Sequence, residues 1–271
     1  MVNISVIVHL KFTGTIKKLL SAYLLVFHGS RDRRYQVAVE QLTQLVCDIQ
    51  MHRQASEHSR SGNLATHSAE TFVGMGLLEL HPLALHEQIR EFAERSFAAG
   101  IHSIQVLPVF LLPGVHVMED IPGEVARAQE VLGSQAKIEI QPYLGKHPGL
   151  TGLLSAQQAN MAADAWILLS HGSRRAGGNQ PIEEMAFNLG ALPAYWSVRS
   201  SLDKQVEALV NAGYRKIGIL PYFLFAGAIT DAIWQYVSEL SQRFPTVELE
   251  LAEPLGAGVE LARLILDLAE E

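Results

Sequence analysis

The sequence predicts an α/β protein of two tandem, duplicated domains, each a parallel sheet flanked by helices. First, the residues His-Gly-Ser-Arg occur twice, at His28 and His171, each time after a short apolar run. Second, "AGIHSIQVLPVFLLPGVHV" in the first half matches "AGYRKIGILPYFLFAGAIT" in the second. Third, apolar runs alternate with helical stretches, which is typical of a parallel sheet covered by helices. Landmarks repeated in one order indicate an internal duplication.

The repeat also predicts the domain boundaries. Residues 1–20 form an N-terminal extension of unknown role, and residues 21–147 form the first half. A connecting helix is expected over residues 148–163, and the second half covers residues 164–271.

The elements of the first half follow from local sequence. "YLLVF" is an apolar run of the kind found in strands covered on both faces, and a Gly/Ser/Arg turn and the helical stretch "YQVAVEQLTQLVCDI" come next. The polar stretch with His52, His58 and His67 is interpreted as an exposed loop or a frayed helix end, because its spacing matches no metal-ligand motif. "FVGMGLLEL" and "SIQVLPVFLL" are further strands, the latter after an Ala-Gly helix end.

The second half repeats this order with a shorter connection. "WILLS" and "KIGILPYFLF" are its buried strands, and the late segment "LELAEPLGAGVEL" corresponds to "IEIQPYLGKHPGL".

Composition excludes several classes of protein. The net charge of −7 argues against a nucleic-acid partner, and the single Cys47 excludes a disulfide framework or a thiolate metal cluster. No apolar run approaches the roughly 20 residues of a membrane span. The N-terminal segment lacks the positive flank of a signal peptide, so we expect a cytoplasmic protein with no membrane partner.

Chemistry-bearing residues follow three strands of the first half. In an open parallel sheet, ligands bind beyond the carboxyl ends of the strands. His28, Glu79 and His116 each stand near such an end. Two imidazoles and a carboxylate suit Fe²⁺, Co²⁺, Ni²⁺ or Zn²⁺, and they also accept protons near neutral pH. Taken singly, each residue is equally compatible with a capping, surface or ion-pairing role; their joint pattern favours a site.

The second half lacks this set. Counting from the aligned strands, Ile229 takes the place of His116, and alignment on Leu85 and Leu202 pairs Glu79 with Trp196. Only His171 is retained, and we expect a structural role for it. Of the eleven histidines, ten lie at or before His147, so the chemistry is assigned to the first half.

The two turns are also basic. Ser30, Arg31, Arg34 and Arg174 stand beside predicted helix starts, where guanidinium and backbone N–H groups suit carboxylate or phosphate ligands. A nucleotide phosphate loop and a G-x-S-x-G nucleophile elbow are absent from the sequence.

The segments "LLVFHGSRD", "LLELHPLALHEQI", "VLPVFLLPGVHVMEDIP" and "PYLG" resemble the sirohydrochlorin chelatase family, the class II tetrapyrrole chelatases that work without ATP. The resemblance runs from about Tyr23 to the C-terminus. It implies the long, two-half form, with an active-site cleft between the halves and a degenerate second half. It also implies that His28, Glu79 and His116 are the metal and proton site.

The resemblance implies insertion of a divalent metal into sirohydrochlorin, with the metal as substrate and no prosthetic group. Ferrous iron is favoured and cobalt is the alternative, for siroheme or cobalamin synthesis. We expect a monomer or a loose homodimer. Two other functions stay open on the residues alone: a non-catalytic metal or tetrapyrrole carrier, and a phosphate-ester enzyme that uses the basic turns.

Overall fold

The structure, a computed structural model, describes residues 21–60, 72–173, 175, 177–198 and 200–269. Its contacts divide the chain into two compact units, which are described separately. The first unit comprises the residues up to Phe110, Val115–Lys146 and the segment from Gly258. The second unit comprises Leu111–Gly114 and His147–Ala257.

The first unit is built on a four-stranded parallel sheet. Its strands lie in the order β2-β1-β3-β4, with β1 and β3 at the centre. The elements are β1 (Ser21–Phe27), α1 (Arg33–Arg60), β2 (Phe72–Leu77), α2 (Leu85–Ala98), β3 (Ser103–Pro108), a π-helical turn (His116–Asp120), α3 (Ile121–Leu132) and β4 (Lys137–Ile140). Ala22 to Phe27 are all buried, as expected for a central strand with both faces covered.

Apolar residues at helical spacing hold α2 and α3 on this sheet. Ile89, Phe92 and Ala93 of α2 and Ile121 and Val125 of α3 join one buried cluster with residues of the strands. A cluster of this kind supplies most of the stability of a short helix, because burial of apolar area outweighs intrinsic propensity.

The second unit repeats the architecture. Its strands lie in the order β6-β5-β7-β8, again all parallel. Its elements, with the last helix of the chain, are α4 (Gly149–Ala159), β5 (Ala165–Ser170), α5 (Gln180–Asn188), β6 (Ala191–Tyr195), α6 (Ser201–Asn211), β7 (Lys216–Tyr222), α7 (Ala228–Arg243), β8 (Glu248–Leu251) and α8 (Val259–Asp267). The predicted fold class, two parallel sheets each flanked by helices, is confirmed.

The C-terminal helix lies with the first unit. Helix α8 packs against α1, and Arg53 of α1 donates to Asp267 over 2.8 Å. The predicted second half ran to residue 271, so the compact units differ from the predicted halves at the C-terminus. Burial of Leu261, Ile265 and Leu266 in α8 is the physical reason for this placement.

Some predictions fall on residues outside the described ranges. The N-terminal extension, His67 and Arg174 are among these residues. Residues 52–60 belong to the stretch predicted to be an exposed loop or a frayed helix end, and in the structure they continue α1. Among the helices that the structure describes, none is both long and apolar enough to cross a membrane.

Candidate metal centre

The backbone joins His28 and Glu79 at the ends of neighbouring strands. Phe27, the last residue of β1, pairs with Leu77, the last residue of β2. Two further hydrogen bonds continue the ladder: Leu78 N–H donates to Phe27 O over 2.8 Å, and Glu79 N–H donates to His28 O over 2.9 Å. The register places His28 opposite Leu78 and Gly29 opposite Glu79, so His28 and Glu79 are diagonal neighbours at the point where the two strands end.

A glycine makes this close approach feasible. Gly29 has a φ of +103°, and a Cβ atom built on it would lie 2.2 Å from the carbonyl oxygen of Glu79. Leu80, immediately after Glu79, has a φ of 61°, in the left-handed region that costs a residue with a side chain about 1 kcal/mol or more. A residue with positive φ therefore follows each of the two strands that lead to the candidate ligands.

His116 reaches the same place from the third strand. The loop after β3 leads into the π-helical turn that His116 begins. Its Nε2 lies 4.0 Å from Glu79 Oε1, and His28 Nδ1 lies 3.9 Å from Glu79 Oε2. The two imidazole rings are edge-to-face, with centroids 4.8 Å apart and an interplanar angle of 85°.

The three side chains form a partly exposed cluster of possible metal ligands. One ligand atom from each of His28, Glu79 and His116 lies within 4.8 Å of the others. Metal–ligand bonds of about 2.1 Å place ligand atoms roughly 3 to 4 Å apart, so a small inward movement would let all three bind one ion. The side chains of His28, Glu79 and His116 are 46%, 49% and 34% exposed, so all three are accessible to solvent. We call these three residues the triad.

Three residues around the triad were not predicted. Asp120 Oδ2 lies 2.7 Å from His116 Nδ1. Phe110 packs on the apolar core, with its ring centroid 6.3 Å from those of both histidines. Burial raises the pKa of Tyr35, although the backbone amides of His28 and Gly29 bond to its oxygen and oppose that shift. The spacing His-x-x-x-Asp is the one sequence signal that could have indicated Asp120.

The basic turn after β1 contains a carboxylate, Asp32, that pairs with one of its arginines. Asp32 accepts hydrogen bonds from the backbone N–H and the guanidinium of Arg34 over 2.9 Å and 2.7 Å, and these bonds lower the pKa of Asp32. Ser30 Oγ accepts the N–H of Asp32 over 3.1 Å. Two of the predicted substrate-binding residues thus bond within the turn, while Arg31 is exposed.

A cavity of about 380 Å³ adjoins the triad. Its lining includes Glu79 and His116 together with Glu119, Asp120, Glu124 and Arg127. Burial alone would raise the pKa of Glu124, but hydrogen bonds from the backbone and ring of His86, with the charge of Arg127, outweigh it and lower that pKa. The carboxylate of Glu124 accepts the backbone N–H of His86 over 2.9 Å and so links the start of α2 to α3.

The second unit keeps the frame of the site without its ligands. Trp196 N–H donates to Ser170 O and Ser197 N–H donates to His171 O, which repeats the bonds of Leu78 and Glu79. The structural counterpart of Glu79 is therefore Ser197, and the prediction of Trp196 was wrong. Leu85 stands eight positions after the last residue of β2, whereas Leu202 stands seven after the last residue of β6, so alignment on these leucines shifted the pairing by one residue.

Among the residues that the structure describes, no such set of ligands surrounds His171. Counted from β7, Ile229 stands where His116 does, and it is the second residue of α7. The turn after β5 is also held differently: Asn179 Oδ1 accepts the N–H of Ser173 over 2.6 Å.

Known proteins share sequence and fold with this chain. The family model CbiX matches residues 22–160 and 165–271. The sirohydrochlorin cobaltochelatase of Priestia megaterium is 26% identical over 190 residues, which are 64% of this chain and 62% of that protein. The match thus spans less than two thirds of this curated relative.

Solved structures show the same fold. The sirohydrochlorin chelatase SirB from Bacillus subtilis subspecies spizizenii in complex with cobalt superposes with a TM-score of 0.68 at 20% identity, covering 93% of this chain and 94% of that one. SirB from Bacillus subtilis with Fe³⁺ gives 0.70 at 20% identity over the same shares of the two chains.

Proposed function

Because this chain belongs to the CbiX family, we propose that it inserts a divalent metal ion into sirohydrochlorin without ATP. The observation that carries the proposal is the convergence of His28, Glu79 and His116 in one half-exposed cluster. Three strand ends bring together the donors that a metal-inserting enzyme needs, and the counterpart positions of the second unit do not.

The reaction explains why the triad combines imidazoles with a carboxylate. A cyclic tetrapyrrole loses two pyrrole N–H protons for each divalent ion that it takes up. His28 and His116 supply the lone pairs that bind the ion or accept those protons, and Glu79 accepts a proton and balances charge. All three face the same small volume, so ion and proton acceptors meet the ring together.

The macrocycle carries carboxylate side chains. Because the protein is acidic as a whole, positively charged residues near the site must attract them. Arg31, exposed in the turn that follows His28, is the residue we assign to this role. Arg34 contributes less than its charge suggests, because Asp32 already pairs with it. Binding of the ring in a cleft between the two halves, a role for Arg174, the cytoplasmic location and the monomer or loose homodimer stay predictions.

Ferrous iron also stays a prediction. Two imidazoles and one carboxylate accept Fe²⁺ and Co²⁺ alike, and the affinity order of these ions does not decide which one is used. The curated relative is named a cobaltochelatase. Both ions therefore belong in the assay.

A phosphate-ester activity is disfavoured by the first basic turn. A phosphate held there would need the N–H groups at the start of α1. Asp32 already accepts the N–H of Arg34, and its negative charge repels an anion. No comparable contact argues against metal insertion at the triad.

The test is anaerobic incubation of the purified protein with sirohydrochlorin and either Fe²⁺ or Co²⁺, followed by absorbance. His28→Ala and His116→Ala should each lower the rate about 100-fold or more, the range for loss of a positioned proton acceptor. Glu79→Ala should lose less, and the matched control His171→Ala should stay near wild type.

Equal losses for His28→Ala and His171→Ala would contradict the assignment. Turnover separates a catalyst from a carrier: a catalyst metallates many rings per chain, whereas a carrier stops at one.

A further inference from the structure

Asp120 holds one nitrogen of His116. Its Oδ2 lies 2.7 Å from Nδ1, within the range of a charge-assisted hydrogen bond. An ionised carboxylate has only acceptor oxygens, so Nδ1 must carry the hydrogen. In a neutral imidazole the lone pair is then on Nε2, the atom that lies 4.0 Å from Glu79 Oε1.

The geometry points to Asp120 as a positioning residue that fixes His116 in the tautomer needed at the triad. It makes the triad-facing Nε2 the free nitrogen and sets the direction of the ring. The inference rests on the proposed function for its use, since the same Nε2 lone pair is needed to bind a metal ion or to accept a pyrrole proton.

His28 shows the contrast within the same site. Its Nδ1 lies 3.3 Å from the carbonyl oxygen of Gly29, beyond the usual hydrogen-bond range, and 3.9 Å from Glu79 Oε2. His116 therefore has the short, charge-assisted contact that selects a tautomer.

The local helix geometry is a second, independent observation. His116–Asp120 is a π-helical turn that closes with the bond from Ile121 N–H to His116 O. Such a turn spans five residues where an α-helical turn spans four, so it accommodates one extra residue. Short π-helical turns are found frequently at functional sites.

The second unit lacks this extra residue. The prolines of β3 and β7 hold equivalent register positions, opposite Val26 and Leu169. From Pro108 to the first buried helix residue, Ile121, is thirteen positions, while from Pro221 to Ile233 is twelve. The added residue lies where His116 and Asp120 meet, in the unit that has the triad.

Because of this one-residue difference, two residues of the second unit can be counted as the counterpart of His116. Counted from the strand it is Ile229, and counted back from the buried helix residues it is Ala228. Neither residue carries a ligand atom. The carboxylate and its imidazole are thus both confined to the unit with the π-helical turn.

The decisive measurement is nitrogen NMR of the protein labelled with ¹⁵N-histidine, at a pH of about 8.5, where free imidazoles are neutral. His116 is assigned by the signals that disappear in His116→Gln. We expect the wild-type ring to be protonated at Nδ1 and the Asp120→Asn ring to shift toward the other tautomer or a mixture. Protonation of wild-type His116 at Nε2 would overturn the inference.

Binding of Co²⁺ alone gives the functional readout. Asp120→Asn and Asp120→Ala should weaken binding about 10- to 100-fold, the usual cost of losing such a partner. Glu130→Gln removes the same charge from an exposed position of α3 that does not line the cavity, and it should bind near wild type. Unchanged affinity in both Asp120 variants would refute a positioning role.

The two proposals fail separately. If His116→Ala binds Co²⁺ as tightly as wild type, the proposed metal site is refuted, whichever tautomer His116 has in the wild-type protein. If His116→Ala loses binding while Asp120→Asn keeps both tautomer and affinity, only the role of Asp120 falls.

Discussion

Replacing Gly29 by alanine should disable the triad without touching any of its side chains. The new Cβ would lie 2.2 Å from the carbonyl oxygen of Glu79, whereas ordinary contact begins at 3.4 Å. The Glu79 backbone must therefore retreat by about 1.2 Å, or the β1 turn must move by as much. That shift is large beside the 3.9 Å that separates His28 from Glu79.

The expected costs differ for stability and rate. The φ of +103° costs alanine about 1 to 2 kcal/mol, and loss of the bond from Glu79 N–H to His28 O adds about 1 kcal/mol. A misplacement of about 1 Å at reacting groups costs about 100-fold in rate. Gly29→Ala should thus fold, unfold at lower temperature and metallate sirohydrochlorin about 100-fold more slowly.

Gly100→Ala is the matched control. Gly100 also has a positive φ, +75°, but a Cβ there would meet no atom within 4 Å. It should lose the backbone contribution of about 1 to 2 kcal/mol and keep its rate. A Gly29→Ala protein with wild-type metallation would refute the close approach of the two strand ends as a requirement of the site.

Two further predictions concern stability. Glu124→Gln should lower the free energy of unfolding by about 1 to 3 kcal/mol at neutral pH, because the charged bonds to His86 are lost. The folded-state pKa of Glu124 is lowered, so its contribution is complete above the ordinary glutamate pKa and disappears as the pH falls through the lower value; denaturant unfolding at neutral and acid pH should show the difference vanish in acid. Gly218→Ala should cost about 1 to 3 kcal/mol in thermal unfolding followed by tryptophan fluorescence, because its Cβ would lie 2.3 Å from the Trp166 ring. Gly152→Ala, with open space around its Cβ, should be at least as stable as wild type, and equal losses would contradict the packing argument.

The triad could be predicted because its logic is local. Apolar runs mark the strands, and the carboxyl ends of parallel strands meet at one edge. Given that rule, His28 and Glu79 need only the strand boundaries to be recognised as neighbours. The second half lacks the counterparts of Glu79 and His116, and this difference predicted that the ligand set lies in the first half.

The errors and omissions come from single-residue differences of backbone length. The pairing of Glu79 with Trp196 failed because the anchoring leucine follows the strand end one position earlier in the second half, which no composition signal marks. Asp120 was missed because the spacing His-x-x-x-Asp brings two side chains together only in a helical turn, and the sequence analysis did not predict that a helical turn begins at His116. The placement of α8 escaped prediction since an amphipathic helix shows which face is buried but not against which surface.

The extra residue of the π-helical turn bears on how such a centre could be rebuilt. Ser197→Glu with Ile229→His would supply the missing donor types to the second sheet. The residue four positions after Ile229, however, is the core residue Ile233, and a carboxylate there would be stranded in apolar surroundings. Point substitutions alone therefore do not restore an imidazole that is hydrogen-bonded to a carboxylate. An inserted codon is required, so the difference between the two repeats is hard to reverse.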